Sequence, residues 1–157
     1  SKKPMPRLKH IYQNDHPYMT TTNTVDRKLI FTDNKAADLL LEAILFGRRQ
    51  HWYYLLSFVI MPDHMHLIII PKDKNISGSM KSIKGFSSRK INEVLGRKGT
   101  LWQSGFYDYI LDNDEKVLSR IKYIEENPLR KGIVIYPEDY KYSSAKYREE
   151  TDLGIFF

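Results

Sequence analysis

The sequence predicts an α+β fold built on one antiparallel sheet, and three patterns carry that prediction. Short runs rich in β-branched and aromatic residues recur along the chain and predict strands. Between them lie longer segments in which apolar residues return at helical spacing. Two strand candidates are joined by so short a connection that they form an antiparallel hairpin. In chain order the elements are β-α-β-β-α-β followed by an additional C-terminal helix, which is the order of a ferredoxin-like sandwich.

The first strand and the first helix lie in the N-terminal part of the chain. Residues 17–25 are rich in threonine and predict a strand. Residues 32–50 place alanine and leucine side chains at helical spacing and predict a helix, with Thr32 or Asp33 as its N-cap. The two hairpin strands follow at 52–60 and 64–70, joined by Met61-Pro62-Asp63.

The second half of the chain is expected to complete the sheet and to cover it. A second helix follows Gly78, and residues 105–111 predict the fourth strand. A third helix opens at Asp112 or Asn113 and stops before Pro128. Since the second hairpin strand is apolar on both faces, this third helix is expected to cover the open face of the sheet, alone or with a partner subunit. The apolar stripes comprise Met80, Ile83, Ser87, Ile91 and Val94 in the second helix, and Val117, Leu118, Ile121 and Ile124 in the third.

Length and composition favour a single domain without membrane spans. The 157 residues suffice for one core, expected at about 17–128, and a tail, 129–157, that wraps or extends it. No apolar run has the length of a membrane span, and the N-terminus lacks the apolar stretch of a secretory signal. The chain has no cysteine, which excludes disulfides and thiolate metal sites. We therefore expect a cytoplasmic protein of bacterial type.

The charge of the chain favours an anionic partner. Its net charge is +6 and its pI is about 9.4. Eleven tyrosines and two tryptophans add aromatic faces that could stack on nucleobases. On composition alone, the alternative that the basic residues only solvate helix faces is equally well supported.

Two histidines, His64 and His66, stand at the start of the second hairpin strand. Because side chains alternate along a strand, both point to one side of the sheet and Met65 points to the other. This spacing lets both imidazoles converge on one cation. The pattern leaves open the alternative that they are incidental polar residues at a strand end. A metal would need at least one further ligand, and without cysteine that ligand is oxygen or nitrogen.

Tyr123 falls nearly opposite the apolar stripe of the third helix, so the core of that helix does not explain it. Asn127 lies one turn further on and is expected beside it. An asparagine carbonyl can ligate a metal, and a tyrosine hydroxyl can act as a nucleophile. On this pattern alone, a surface tyrosine on a charged helix remains the alternative.

Several motifs taken together resemble the single-tyrosine His–hydrophobic–His transposases. The motifs are MPDHMHLIII and YIEENPLRKG, with KSIKGFSSRKIN, GTLWQSGFYDYIL and PEDYKYSSA between and after them. The resemblance runs from about residue 17 to 148. It lies closest to the REP-associated tyrosine transposase branch, in which the tyrosine is followed four residues later by Asn-Pro.

The resemblance implies roles for individual residues. His64 and His66 would bind a divalent metal, Mg²⁺ or Mn²⁺, with Asn127 as third ligand and Tyr123 as nucleophile. It also implies single-stranded DNA hairpins as substrate, cleaved and rejoined through a 5′-phosphotyrosine. Asp63 stands where many members carry Asn and is not a ligand in the pattern. With one nucleophile per chain, a homodimer is compatible with two coordinated cleavages. The cations expected to contact DNA are Lys81, Lys84, Arg89, Lys90, Arg120 and Arg130.

Two other function classes compete with the enzymatic interpretation. One is a non-catalytic nucleic-acid-binding domain of ferredoxin-like fold with vestigial histidines. The other is a zinc hydrolase that activates water, which would leave Tyr123 without a role and lacks an identifiable acid/base carboxylate. Trp102 is expected either to stack on a base or to belong to the core.

Overall fold

The sheet has four antiparallel strands in the order β2-β3-β1-β4, in a computed structural model that describes residues 15–157. With β1 between β3 and β4, this is the ferredoxin-like arrangement, and the predicted fold class is confirmed. The strands are β1 Tyr18–Asn23, β2 Tyr53–Met61, β3 His64–Pro71 and β4 Tyr107–Ile110; the helices are α1 Asn34–Arg49, α2 Ile76–Leu95, α3 Asp114–Glu125, α4 Asn127–Arg130 and α5 Leu153–Phe156.

Two hydrophobic layers cover the two faces of the sheet. Helices α1 and α2 pack against one face, where the odd-numbered apolar residues of β3 lie. The other face carries Ile68 and Ile70 of β3, and it is covered by Val117, Ile121 and Ile124 of α3. The predicted covering role of the third helix is therefore confirmed, and it is fulfilled within one chain. Leu118, which we placed in the same stripe, is half-exposed because the sheet contacts only a narrow strip of the helix.

The helix boundaries follow from the capping residues. The Asp33 side chain caps α1 by accepting hydrogen bonds from the first-turn amides. Helix α2 begins earlier than predicted, because the Asn75 side chain accepts a hydrogen bond from the Gly78 amide and so includes Gly78 in the first turn. It ends where Gly96 adopts φ +63°, as the glycine signal predicts. Val94, in the last turn, is half-exposed rather than buried.

The hairpin between β2 and β3 turns at Pro62 and Asp63, since Met61 still pairs with His64. The register of β2 shifts between Leu55 and Ser57. Such a bulge places two consecutive side chains on the same side of the sheet. It turns Ser57 towards α3, whose Glu125 accepts a hydrogen bond from the Ser57 hydroxyl.

The C-terminal segment runs along the free edge of β2. Ile60 donates its amide to Tyr142 and Ser144 donates to Phe58, at 2.8 and 3.0 Å, and the Asp152 amide reaches the Leu55 carbonyl at 2.7 Å. This pairing satisfies the edge strand and ends in α5, whose Phe156 joins the hydrophobic layer under α3. Over residues 15–157, no helix has the length and apolar character to cross a membrane.

Candidate active site

The two histidines, the first and third residues of β3, lie side by side. His64 and His66 lie on the face that α3 covers, with ring centroids 4.8 Å apart and ring planes at 75°. Both are nearly buried, at 9% and 8% exposure. Alternation along β3 puts Met65 in the opposite hydrophobic layer, as the sequence predicts.

Each histidine is oriented by a partner at its Nδ1 atom. The Asp63 carboxylate lies 2.6 Å from His64 Nδ1, and the Thr21 hydroxyl lies 2.8 Å from His66 Nδ1. Both partners can accept an Nδ1–H, which leaves the Nε2 lone pair of each ring without a hydrogen-bond partner among residues 15–157. Metal-binding histidines commonly have this second bond, because it selects the tautomer and holds the ring in place.

The electrostatics of the site keep both imidazoles neutral. Burial is the largest effect on His66, and together with the nearby His64, Arg130 and Arg27 it lowers the pKa of that imidazole to about 3. Burial also lowers the pKa of His64, although Asp63 partly offsets the effect. A neutral imidazole is the form that donates a lone pair to a metal.

Asp63 also anchors the hairpin turn. Its carboxylate accepts a hydrogen bond from Arg27 Nε at 3.0 Å, and its backbone carbonyl accepts one from the Thr24 hydroxyl at 3.1 Å. Burial opposes ionisation of this carboxyl, but the bonds from Arg27 and His64 prevail and hold its pKa below the usual value. In the pattern that the sequence resembles, Asp63 is not a metal ligand. Its position directly before His64 was the available signal, whereas Arg27 and Thr21 become neighbours only through the fold.

Tyr123 lies on the side of α3 that faces the histidines. Its ring centroid is 6.5 Å from that of His66, and the side chain is 44% exposed. Arg120 and Arg130 lie near the ring, with guanidinium carbons 5.5 and 4.3 Å from its centroid. Arg130 also donates a hydrogen bond to the Tyr123 backbone carbonyl at 2.6 Å. The structure therefore brings the predicted nucleophile, one predicted ligand and two predicted cations together.

Asn127 does not lie in the same helix as Tyr123, contrary to the prediction. Helix α3 ends at Glu125 with Glu126 as its C-cap, and Asn127 starts α4. The break fits Pro128, which has no backbone N–H to donate to the carbonyl of Ile124 and so cannot continue the hydrogen bonding of α3. Asn127 is buried, and its side-chain amide has no hydrogen bond to any residue of the described chain. Residues 15–157 contain no group of three or more His, Asp or Glu side chains that could hold a metal ion.

The predicted cations of α2 are not part of this cluster. Helix α2 packs on the opposite face of the sheet from the histidines, with Lys81, Arg89 and Lys90 exposed. Lys84 differs, because its ammonium donates to the carbonyls of Gln103 and Gly105 at 3.1 and 2.7 Å, and its burial lowers its pKa. Trp102 belongs to the core: it is buried, its Nε1–H bonds Ser87 at 3.0 Å, and it packs against Phe31.

Fold and site together define a class of protein: a ferredoxin-like sheet with a His–hydrophobic–His pair, facing a tyrosine on the helix that covers it. Comparison with protein families agrees. The family model "Transposase IS200 like" matches residues 13–127. The chain belongs to the IS200-like transposase family.

Individual relatives confirm the predicted branch. A REP-associated tyrosine transposase of Escherichia coli K12 is 27% identical over 120 residues, which are 75% of this chain and 68% of that protein. A Haemophilus influenzae protein described as "Putative REP-associated tyrosine transposase" is 27% identical over 99 residues, and the match spans only 56% of each protein's length. A solved structure of a REP-associated tyrosine transposase bound to a REP hairpin shares the fold, with a TM-score of 0.68, 24% identity, and coverage of 84% of this chain and 78% of that one.

Proposed function

We propose that this protein is a metal-dependent single-stranded DNA endonuclease and strand transferase that works through a covalent 5′-phosphotyrosine. The observation that carries the proposal is the approach of the Tyr123 ring to within 6.5 Å of the His66 ring in the same chain. Family membership supports a DNA-processing activity of the transposase type. The proximity of the two rings supports a site that is complete within one subunit, even if a homodimer is needed for two coordinated cleavages.

The residues present fit a divalent metal. His64 and His66 would hold it through Nε2, and the side-chain amide oxygen of Asn127, a residue that is 5% exposed, would supply the third contact. A mixed set of imidazole nitrogen and amide oxygen suits Mn²⁺, and Mg²⁺ with additional water ligands. When bound, the metal would withdraw charge from a non-bridging oxygen of the scissile phosphate.

The tyrosine and the arginines carry the chemical step. Tyr123 Oη attacks the phosphorus, so that an Oη–P bond forms while the P–O3′ bond breaks. The phenolic proton is released, and the leaving O3′ takes up a proton to become a 3′-hydroxyl. Arg120 and Arg130 offset charge on the phosphate near the ring. Because the bond energy stays in the phosphotyrosine, a 3′-hydroxyl can reverse the step and rejoin a different junction.

A DNA hairpin is the substrate we expect. The solved relative is bound to a REP hairpin, and the exposed Lys81, Arg89 and Lys90 of α2 could contact the backbone of a duplex stem. Since α2 lies across the sheet from the histidines, a hairpin that uses both surfaces would pass around an edge of the sheet.

The test is covalent capture of DNA by Tyr123. We would incubate the protein with labelled single-stranded hairpins and Mn²⁺ or Mg²⁺ and separate the products on a denaturing gel. A protein–DNA adduct should form with the native chain and with Tyr136→Phe, a matched change of an exposed tyrosine. Tyr123→Phe should abolish the adduct and leave hairpin binding nearly intact. Hairpin binding without any adduct, whatever the variant or metal, would favour the non-catalytic binding domain instead.

A further inference from the structure

Strand β4 exposes two large aromatic side chains that the core does not use. It is the edge strand of the sheet, and its four residues are all exposed. Tyr107 and Tyr109 are 64% and 58% exposed. Because they are two residues apart in a strand, both rings project from the same side, about 7 Å apart along the chain.

The strand register places these rings on the histidine face of the sheet. Thr21 of β1 pairs with His66 on one side and with Tyr107 on the other. Paired residues of antiparallel strands project to the same face, so His66, Thr21 and Tyr107 form one row across the sheet. Adjacent strands lie about 5 Å apart, which puts Tyr107 roughly 10 Å from His66 at the backbone.

Arg120 lies near one ring of the exposed pair, Tyr109, and near the candidate nucleophile. Its guanidinium carbon is 5.4 Å from the ring centroid of Tyr109 and 5.5 Å from that of Tyr123. A hollow of about 510 Å³ is lined by both Tyr109 and Arg120. The guanidinium of Arg120 therefore lies near both an exposed ring of β4 and the tyrosine of α3.

Charge is distributed unequally between the two sides of β4. Asp108 pairs with Thr20 and projects to the face opposite the tyrosines. On that face the pKa of Tyr18 is raised mainly by burial, then by the charge of Asp15 and, to a smaller extent, by that of Asp108. The tyrosine side instead approaches the cation of Arg120. An aromatic surface next to a cation suits unpaired nucleobases, which stack on the rings while the arginine contacts their phosphates.

We propose that Tyr107 and Tyr109 form a stacking platform for the unpaired bases that flank the scissile phosphate, with Arg120 holding the backbone between the platform and Tyr123. This inference rests on the proposed function, since it takes the DNA of that reaction as the occupant. The platform positions the strand and takes no part in bond making. The contribution of the platform to DNA binding should depend little on the DNA sequence, because every base presents a face that can stack.

The experiment measures stacking in the absence of cleavage. We would use hairpin DNA carrying 2-aminopurine at successive unpaired positions, without metal, and a Tyr123→Phe background. Tyr107→Ala and Tyr109→Ala should each abolish quenching at one or two positions and weaken binding about tenfold. Tyr→Phe at either position should stay within about twofold, because the ring is kept. Phe46→Ala, which removes an exposed ring from α1 on the other face, should change nothing.

A second set of measurements guards against indirect effects. Tyr107→Gln keeps a long side chain without a ring and should behave like the alanine variant, with an unchanged melting temperature. The salt dependence of binding should be unaltered, since no charge is removed. The proposal is overturned if the alanine variants quench and bind like the parent, or if the phenylalanine variants lose as much as the alanine ones. It is also overturned if Tyr107→Ala or Tyr109→Ala mainly lowers the sedimentation mass, which would make β4 a contact with a second copy.

The outcomes also separate this inference from the proposed function. Ring-dependent quenching without any Tyr123 adduct would contradict the enzyme and keep the platform. A Tyr123 adduct that forms equally well in the alanine variants, with quenching intact, would keep the enzyme and contradict the platform.

Discussion

Arg148 donates a hydrogen bond to the carboxylate of Glu125, which lies two residues after Tyr123 in α3. The other oxygen of that carboxylate accepts hydrogen bonds from the hydroxyls of Ser57 in β2 and Ser144 in the C-terminal segment. Glu125 is buried at the junction of the sheet, the helix and the tail. The helix that carries the candidate nucleophile is thus attached to the sheet by polar contacts as well as by its apolar stripe.

Glu125→Gln should destabilise the protein, because Arg148 loses its charged partner and the two serines lose a strong acceptor. We expect the free energy of unfolding to fall by about 2–3 kcal/mol, measured by urea denaturation. Glu115→Gln, an exposed change in the same helix, should cost less than about 0.5 kcal/mol. Equal losses in the two variants would show that the buried contacts contribute nothing specific.

Asp63→Ala should weaken metal binding by roughly tenfold to a hundredfold, since His64 loses the group that orients its ring. Mn²⁺ titration followed by electron paramagnetic resonance would measure the affinity directly. Asp63→Asn keeps an oxygen that can accept the Nδ1–H, so its affinity should stay close to that of the native chain. If alanine and asparagine have the same effect, the contact does not orient the histidine.

Thr21→Val tests the corresponding contact at His66 with almost no change of shape. The variant removes the hydroxyl 2.8 Å from Nδ1, and we expect Mn²⁺ affinity to fall about tenfold. Thr32→Val, the same substitution at an exposed position, serves as the control. An unchanged affinity in Thr21→Val would mean that packing alone holds the His66 ring.

Arg130→Lys should slow DNA cleavage more than it weakens DNA binding. Lysine keeps the charge, but it cannot reproduce the planar contact with the Tyr123 ring together with the bond to its backbone carbonyl. We expect a single-turnover cleavage rate about tenfold to a hundredfold lower, with hairpin affinity within about threefold. Lys122→Ala, on an exposed position of α3, should leave the rate unchanged. If the cleavage rate and the hairpin affinity fall by the same factor, Arg130 contributes to DNA binding and not to the chemical step.

Lys81→Ala and Lys84→Ala should differ, although both lysines were predicted to contact DNA. Lys81 is exposed, so its loss should weaken hairpin binding and lower the slope of log affinity against log salt by about one. Lys84 is tied to the carbonyls of Gln103 and Gly105, so its loss should mainly lower the free energy of unfolding, by about 1–2 kcal/mol. A large change in the salt slope for Lys84→Ala would show that it contacts the phosphate backbone after all.

Local patterns predicted the elements that carry the site. Alternation along a strand placed His64 and His66 on one side, and helical spacing placed Tyr123 away from the apolar stripe of α3. Both are short-range consequences of backbone geometry, with periods of 2.0 and 3.6 residues. The same reasoning failed where neighbours decide the outcome. Leu118 fits the stripe by spacing and is nevertheless exposed, and Asn127 was expected in the helix of Tyr123 but follows its end.

The sequence by itself determined the identity and order of the elements and the chemistry of the groups on them. It places two imidazoles on one strand and, later in the chain, a tyrosine followed by an amide. Only the tertiary structure decided which groups meet. The contact between Thr21 and His66 spans 45 residues and depends on strand register, and so does the row that leads on to Tyr107. The cations of α2 lie on the face opposite the histidines because α2, which connects β3 to β4, crosses the sheet on that side. Such long-range pairings are set by the packing of the whole sheet, which no local period encodes.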